Sequence, residues 1–153
     1  MSDQFDVLYN VRVSLLKIVD GLTLDQINKI PPGFNNNIAW NFAHLVVTQQ
    51  LLCYKLSGNQ CLVDEDLINQ YRKGSKPSTD QPMTMESWEQ WKEWFLAHVE
   101  VLKKDYDSGQ FKAYNTYTTS AGVTLDSIEK AVEFNNFHEG IHTGYIQALK
   151  RCI

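Results

Sequence analysis

The stretch Ala131-Val132-Glu133-Phe134-Asn135-Asn136-Phe137-His138-Glu139-Gly140-Ile141-His142-Thr143-Gly144-Tyr145-Ile146 decides how this chain is read. It lies inside a segment that starts after Thr124 and runs almost to the C-terminus. Leu125, Ile128, Val132, Ile146 and Leu149 recur there at helical spacing, which predicts one long helix. The apolar stripe holds at both ends and breaks in the middle. There it passes through Asn135, Glu139 and His142, with His138 on its flank. Burying such groups without partners costs on the order of 1–3 kcal/mol each. A metal, a polar cavity or a set of side-chain hydrogen bonds would compensate.

Three further segments have the same period. The first spans roughly Asp3 to Val19 with Phe5, Leu8, Leu15, Val19 and Leu22 as its stripe, broken by Arg12. The second spans roughly Asn37 to Leu56 and stops at Ser57-Gly58. Its stripe is Ile38, Phe42, Leu45, Leu52 and Leu56, with Gln49 interrupting. The third starts near Met85, capped by Thr84, and ends by Ser108-Gly109, carrying Trp88, Trp91, Phe95, Val99 and Leu102. Thr23-Leu24-Asp25-Gln26 reads as a capping box for a short helix reaching Ile30, before Pro31-Pro32-Gly33. A second short helix is expected near Asp64–Tyr71. Phe111–Val123, rich in Thr and Tyr, reads as a short extended segment or a loop over one end. Four amphipathic helices without a convincing strand set predict an all-α four-helix bundle with long crossover connections, as one domain over residues 1–153.

Composition narrows the function. Hydrophobic residues are 43% of the chain and charged residues 21%, enough apolar material for a packed core and against disorder. The formal net charge is -4, and no Lys/Arg cluster exceeds the pairs Lys103-Lys104 and Lys150-Arg151. Phosphate binding needs concentrated positive charge, so no nucleic-acid partner is expected. No apolar run reaches the roughly 20 residues of a membrane span, so no membrane partner is expected either. The acidic start Met1-Ser2-Asp3-Gln4-Phe5-Asp6 lacks the parts of a signal peptide. Cys53, Cys61 and Cys152 are too few and too scattered for a disulfide framework. Free thiols in a cytoplasmic protein are the simplest reading.

His138 and His142 lie on one helical face, with Cβ atoms roughly 5–6 Å apart. His44 sits mid-helix in Trp40-Asn41-Phe42-Ala43-His44-Leu45, on a face shared with Asn37, Trp40 and Thr48. Histidines from two facing helices can meet at one level of a bundle and hold one metal ion with a position left open, the layout of a catalytic site. Each has a plainer reading: a buried histidine that only hydrogen-bonds, or a pair on a solvated face. His98 is an alternative third ligand, though it reads better as a core or surface histidine. Trp40 is a core or pocket-wall aromatic. Asn135 and Glu139 read as groups orienting the imidazoles or lining the pocket, and Glu139 reads equally as solvated. Tyr145 lines the pocket or packs.

Asn37-Ile38-Ala39-Trp40-Asn41-Phe42-Ala43-His44-Leu45 and Phe137-His138-Glu139-Gly140-Ile141-His142-Thr143-Gly144-Tyr145-Ile146 resemble two signatures of the DinB-like (YfiT-like) superfamily. The resemblance extends to length and helix order, although Tyr145 stands where many relatives carry Gln. It implies a four-helix bundle, often a homodimer, with a divalent metal such as nickel or zinc held by three histidines. By position these are His44, His138 and His142. It also implies, for some members, transfer of a low-molecular-weight thiol to small electrophiles. The leading expectation is therefore a metal-dependent thiol S-transferase, with a hydrolase as the variant that needs no thiol. The rival is a non-catalytic, metal-binding or stress-response dimer.

Overall fold

The first helix, α1 (Ser2–Val19), buries Phe5, Leu8, Arg12, Leu15 and Val19 along one face. The structure, a computed structural model, describes residues 1–153. The capping box is present at α2 (Leu24–Asn28): Thr23 Oγ1 accepts from the Gln26 amide at 3.2 Å and Gln26 Oε1 from the Thr23 amide at 2.9 Å. This helix ends earlier than the expected Ile30. Lys29 is already extended, and Ile30, before Pro31, is sterically disfavoured in the α region.

α3 (Ile38–Gln49) is buried along nearly its whole length. Asn37 caps it, accepting from the Trp40 amide at 2.8 Å while its own amide donates to the Asn28 carbonyl at 2.9 Å. The pattern predicted an unbroken α-helix to Leu56. Instead, Gln50–Lys55 is a π-helical turn, in which the Leu56 amide reaches back five residues to the Leu51 carbonyl at 3.2 Å. Loosened carbonyls here take outside donors: Leu52 from the Tyr114 hydroxyl at 3.0 Å and Cys53 from Ser57 Oγ at 2.7 Å. Gln50 Oε1 accepts from the Leu62 amide at 2.8 Å, pinning the following loop.

α4 (Glu65–Tyr71) and α5 (Met85–Asp107) follow, the latter capped by Thr84. A two-residue hairpin, β1 (Tyr117–Thr118) with β2 (Thr124–Leu125), is antiparallel and pairs Tyr117 with Leu125. α6 (Ile128–Lys150) starts behind the Ser127 cap. Leu125, expected inside this helix, is buried from the strand instead. The Ser127 hydroxyl accepts from the Lys130 amide at 3.3 Å and sets the start after it.

The protein is predominantly α-helical. Among the long helices, α1 packs on α5 and α6, and α3 packs on the same two. No helix is long and apolar enough to cross a membrane. The interior divides into two apolar cores. One holds Leu15, Val19, Ile38, Phe42, Trp91, Phe95, Ile146 and Leu149; the other holds Phe5, Leu8, Leu52, Val99, Leu102, Ile128 and Val132. Along every long helix the buried residues between these two sets are polar: Arg12, Gln49 and Gln50, His98, and Asn135 with Glu139. The breaks in four separate stripes thus form one polar layer across the interior.

Asn37→Ala removes the α3 cap and its bond to Asn28. Unfolding free energy should fall by about 1–2 kcal/mol in urea denaturation. An unchanged midpoint would show that the cap is dispensable.

Candidate metal centre

His44 lies at the middle of α3, and His138 and His142 lie one turn apart on α6. The helices bring the three imidazoles to one point, where one ring nitrogen from each lies within 4.8 Å of the others. His44 Nε2 is 3.2 Å from His138 Nε2. The ring of His142 lies 4.7 Å from that of His44 and 4.4 Å from that of His138, centroid to centroid.

The outer nitrogens of His44 and His142 fix their tautomers, whereas Nδ1 of His138 has no hydrogen-bond partner. His44 Nδ1 is 2.6 Å from the Tyr71 carbonyl, which can only accept, so Nδ1 carries the proton and Nε2 keeps its lone pair. His142 Nδ1 is 2.8 Å from Asn41 Oδ1. The Asn41 amide is oriented by its own donations, to Asn36 Oδ1 at 3.0 Å and the Asn37 carbonyl at 2.7 Å. Its oxygen therefore faces His142, and His142 likewise presents a free Nε2. Thr48 Oγ1 lies 3.3 Å from His44 Nε2, and Trp40 stacks on the His44 ring at 4.6 Å and 12°.

These residues fit a metal ion. Nitrogens bound at about 2.0–2.1 Å in a tetrahedral shell stand roughly 3.3 Å apart, close to the observed His44–His138 separation. Carbonyl or amide oxygens behind ligand imidazoles are the usual outer shell of such sites. Protonation is also disfavoured. Burial lowers the pKa of His44, against the opposing effect of the Tyr71 carbonyl. Burial, then the neighbouring His44, lowers His142 to about 4. His138 is pushed furthest down, by burial and then by His142, His44 and Arg12. Neutral imidazole is the metal-binding form.

The remaining candidates fall in different places. Trp40 is buried against His44. Tyr145 is half-buried and meets the Phe34 ring edge-on at 5.5 Å, one turn beyond His142. Asn135 and Glu139 are fully buried in the polar layer, where Glu139 Oε1 accepts from Arg12 Nη2 at 2.7 Å and Asn135 Nδ2 lies at 3.4 Å. Neither hydrogen-bonds an imidazole, and Glu139 is not solvated. His98 lies on α5, stacked on Trp94 and outside the histidine group. Sequence reasoning did not single out Asn41 or Tyr71. A polar residue at 41, three before His44 in the apolar first half of the helix, was a usable signal for the first. Tyr71 acts through its backbone, which leaves no trace in residue type.

The chain matches the family model of the DinB superfamily over residues 8–146, and it belongs to that superfamily. Comparison with curated proteins gives no match.

The depressed histidines give the metal-free protein a defined acid sensitivity. His98, lowered to about 4 by burial and the Arg12 charge, and His142 stay neutral when folded but titrate near 6.5 when unfolded. Between these values the unfolded chain binds more protons, so stability falls as pH drops. The slope approaches about 1.4 kcal/mol per pH unit for each such histidine. His98→Phe should reduce the loss between pH 6.5 and 4 by close to one proton's share, read from urea midpoints in the presence of a chelator. An unchanged slope would contradict the assignment.

Proposed function

We propose that this chain is a divalent-metal-dependent enzyme, most simply a thiol S-transferase that joins a low-molecular-weight thiol to a small electrophile. His44, His138 and His142 would hold nickel or zinc. The observation that carries this reading is the convergence of three neutral imidazoles, two of them fixed from behind by Tyr71 and Asn41. Three protein ligands leave room for a further one, as catalytic sites do. Membership of a superfamily in which such a metal centre is expected points the same way.

Held by His44, His138 and His142, a divalent metal would supply the Lewis acidity that lets a thiol act as thiolate near neutral pH. The chain's own residues orient and shield. Asn41 and Tyr71 hold protons on the outer nitrogens of His142 and His44, Trp40 covers one face of His44, and the Phe34–Tyr145 pair, one turn beyond His142, would offer an aromatic surface to an apolar electrophile. None of the hydrogen-bond partners of the three histidines is a carboxylate. This suits a reaction whose nucleophile needs no general base, and it equally suits a non-catalytic metal-binding bundle. Turnover of thiol plus electrophile separates the two. We further propose a cytoplasmic homodimer, a single domain without nucleic-acid or membrane partners. Phe137 and Ile141, 56% and 50% exposed on α6, support an interface there.

Elemental mass spectrometry of the purified, untagged protein tests the reading. Wild type should carry close to one equivalent of a transition metal, and His142→Ala should lose it. No metal in wild type, even after reconstitution with nickel, zinc and manganese, would overturn it.

Asn41→Leu removes the acceptor behind His142 while keeping the helix apolar. Metal affinity, measured by competition with a chromophoric chelator, should drop about 10–100-fold. Equal affinity would show that Asn41 does not orient the ligand.

A further inference from the structure

Arg12 is fully buried and comes from α1, the one long helix with no histidine. Its guanidinium reaches all three other long helices. Nη1 donates to the Phe95 carbonyl on α5 at 2.8 Å. Nη2 donates to Glu139 Oε1 on α6 at 2.7 Å and to the Leu45 carbonyl on α3 at 3.4 Å, and Nε donates to the same Glu139 oxygen at 3.2 Å. The group also lies 4.6 Å above the Phe95 ring.

Two of the gripped residues are informative in their position. Leu45 directly follows His44, and Glu139 directly follows His138. Successive helical residues point about 100° apart. Holding Glu139 on Arg12 therefore fixes the roll of α6 that turns His138 and His142 toward α3. Holding the Leu45 carbonyl fixes how far α3 has slid along the same layer. Asn135, one turn before Glu139 on α6, adds a second side chain, and a third donor, at Glu139 Oε1.

Stability alone is a weak account of such a pair. Replacing a buried ion pair by apolar residues of similar volume is often neutral or stabilising, and fixing registry is its best-attested use. We infer that the Arg12–Glu139 pair is a positioning device for the histidine centre, setting the roll and register of α3 and α6 so that His44 meets His138 and His142. The inference rests on the metal reading above.

The test is the double variant Arg12→Met/Glu139→Met, which keeps apolar volume in the layer. Three quantities are read: the thermal midpoint, nickel affinity by chelator competition, and the visible spectrum of the cobalt(II) form. The midpoint should stay at or above that of wild type, while nickel affinity falls about 10–100-fold and the cobalt bands shift. Arg12→Lys is the second variant. It keeps the charge but not the planar fork that serves three acceptors, so it should fold and bind nickel more weakly than wild type. A folded variant of either kind with wild-type affinity and an unchanged cobalt spectrum would overturn the inference. If wild type itself binds no metal, the metal reading fails and takes this inference with it. If wild type and both variants bind equally, only the positioning role fails.

Discussion

The burial of one guanidinium ties all four long helices together at a single level. A charged group taken from water must have its donors matched, or the penalty exceeds what the surrounding packing supplies. Arg12 finds its partners only where α3, α5 and α6 come together: two backbone carbonyls and one carboxylate. The long helices must therefore meet at that level in one alignment. Apolar cores on either side supply the driving force for burial, but side chains such as Leu8, Leu15 or Val132 tolerate a slide of the helices better than a fixed fork does. The polar layer converts collapse into alignment.

Alignment matters because the candidate metal centre is split between two helices. His44 has no sequence neighbour that could complete a site. It gains its partners only when α6 presents His138 and His142 at the matching depth. The outer bonds then set each ring. Asn41 ties α3 to His142 across the helix interface, and the Tyr71 carbonyl, at the end of α4, closes behind His44. The crossover segment carrying α4 is thus part of the site's frame. The rings stay neutral, the state a metal requires, because burial penalises their charged form.

Much of this was legible in the sequence, for physical reasons that differ by element. The long helices announce themselves because burial on one side forces a period of 3.6, as in Trp88, Trp91, Phe95, Val99 and Leu102. The histidines were legible because four-residue spacing on a helix is a geometric statement in itself. Local bonding outcomes were not. Nothing in Gln50-Leu51-Leu52-Cys53-Tyr54-Lys55 marks a π turn, whose carbonyls take donors from Ser57 and Tyr114. Leu125 satisfies the helical stripe as well as the strand it occupies, and the Ser127 cap decides between them. Arg12, Gln49, Asn135 and Glu139 were each visible as a break in a stripe. Their union in a single layer needs the three-dimensional alignment, since Arg12 and Glu139 are far apart in the chain.

The most direct test of the central claim is anomalous diffraction from crystals of the nickel-reconstituted protein. Nickel should refine as a peak about 2.0–2.1 Å from Nε2 of His44, His138 and His142, with Nδ1 of His44 and His142 still on Tyr71 and Asn41. A peak held elsewhere, or one that engages the imidazoles through Nδ1 after breaking those outer bonds, would contradict it.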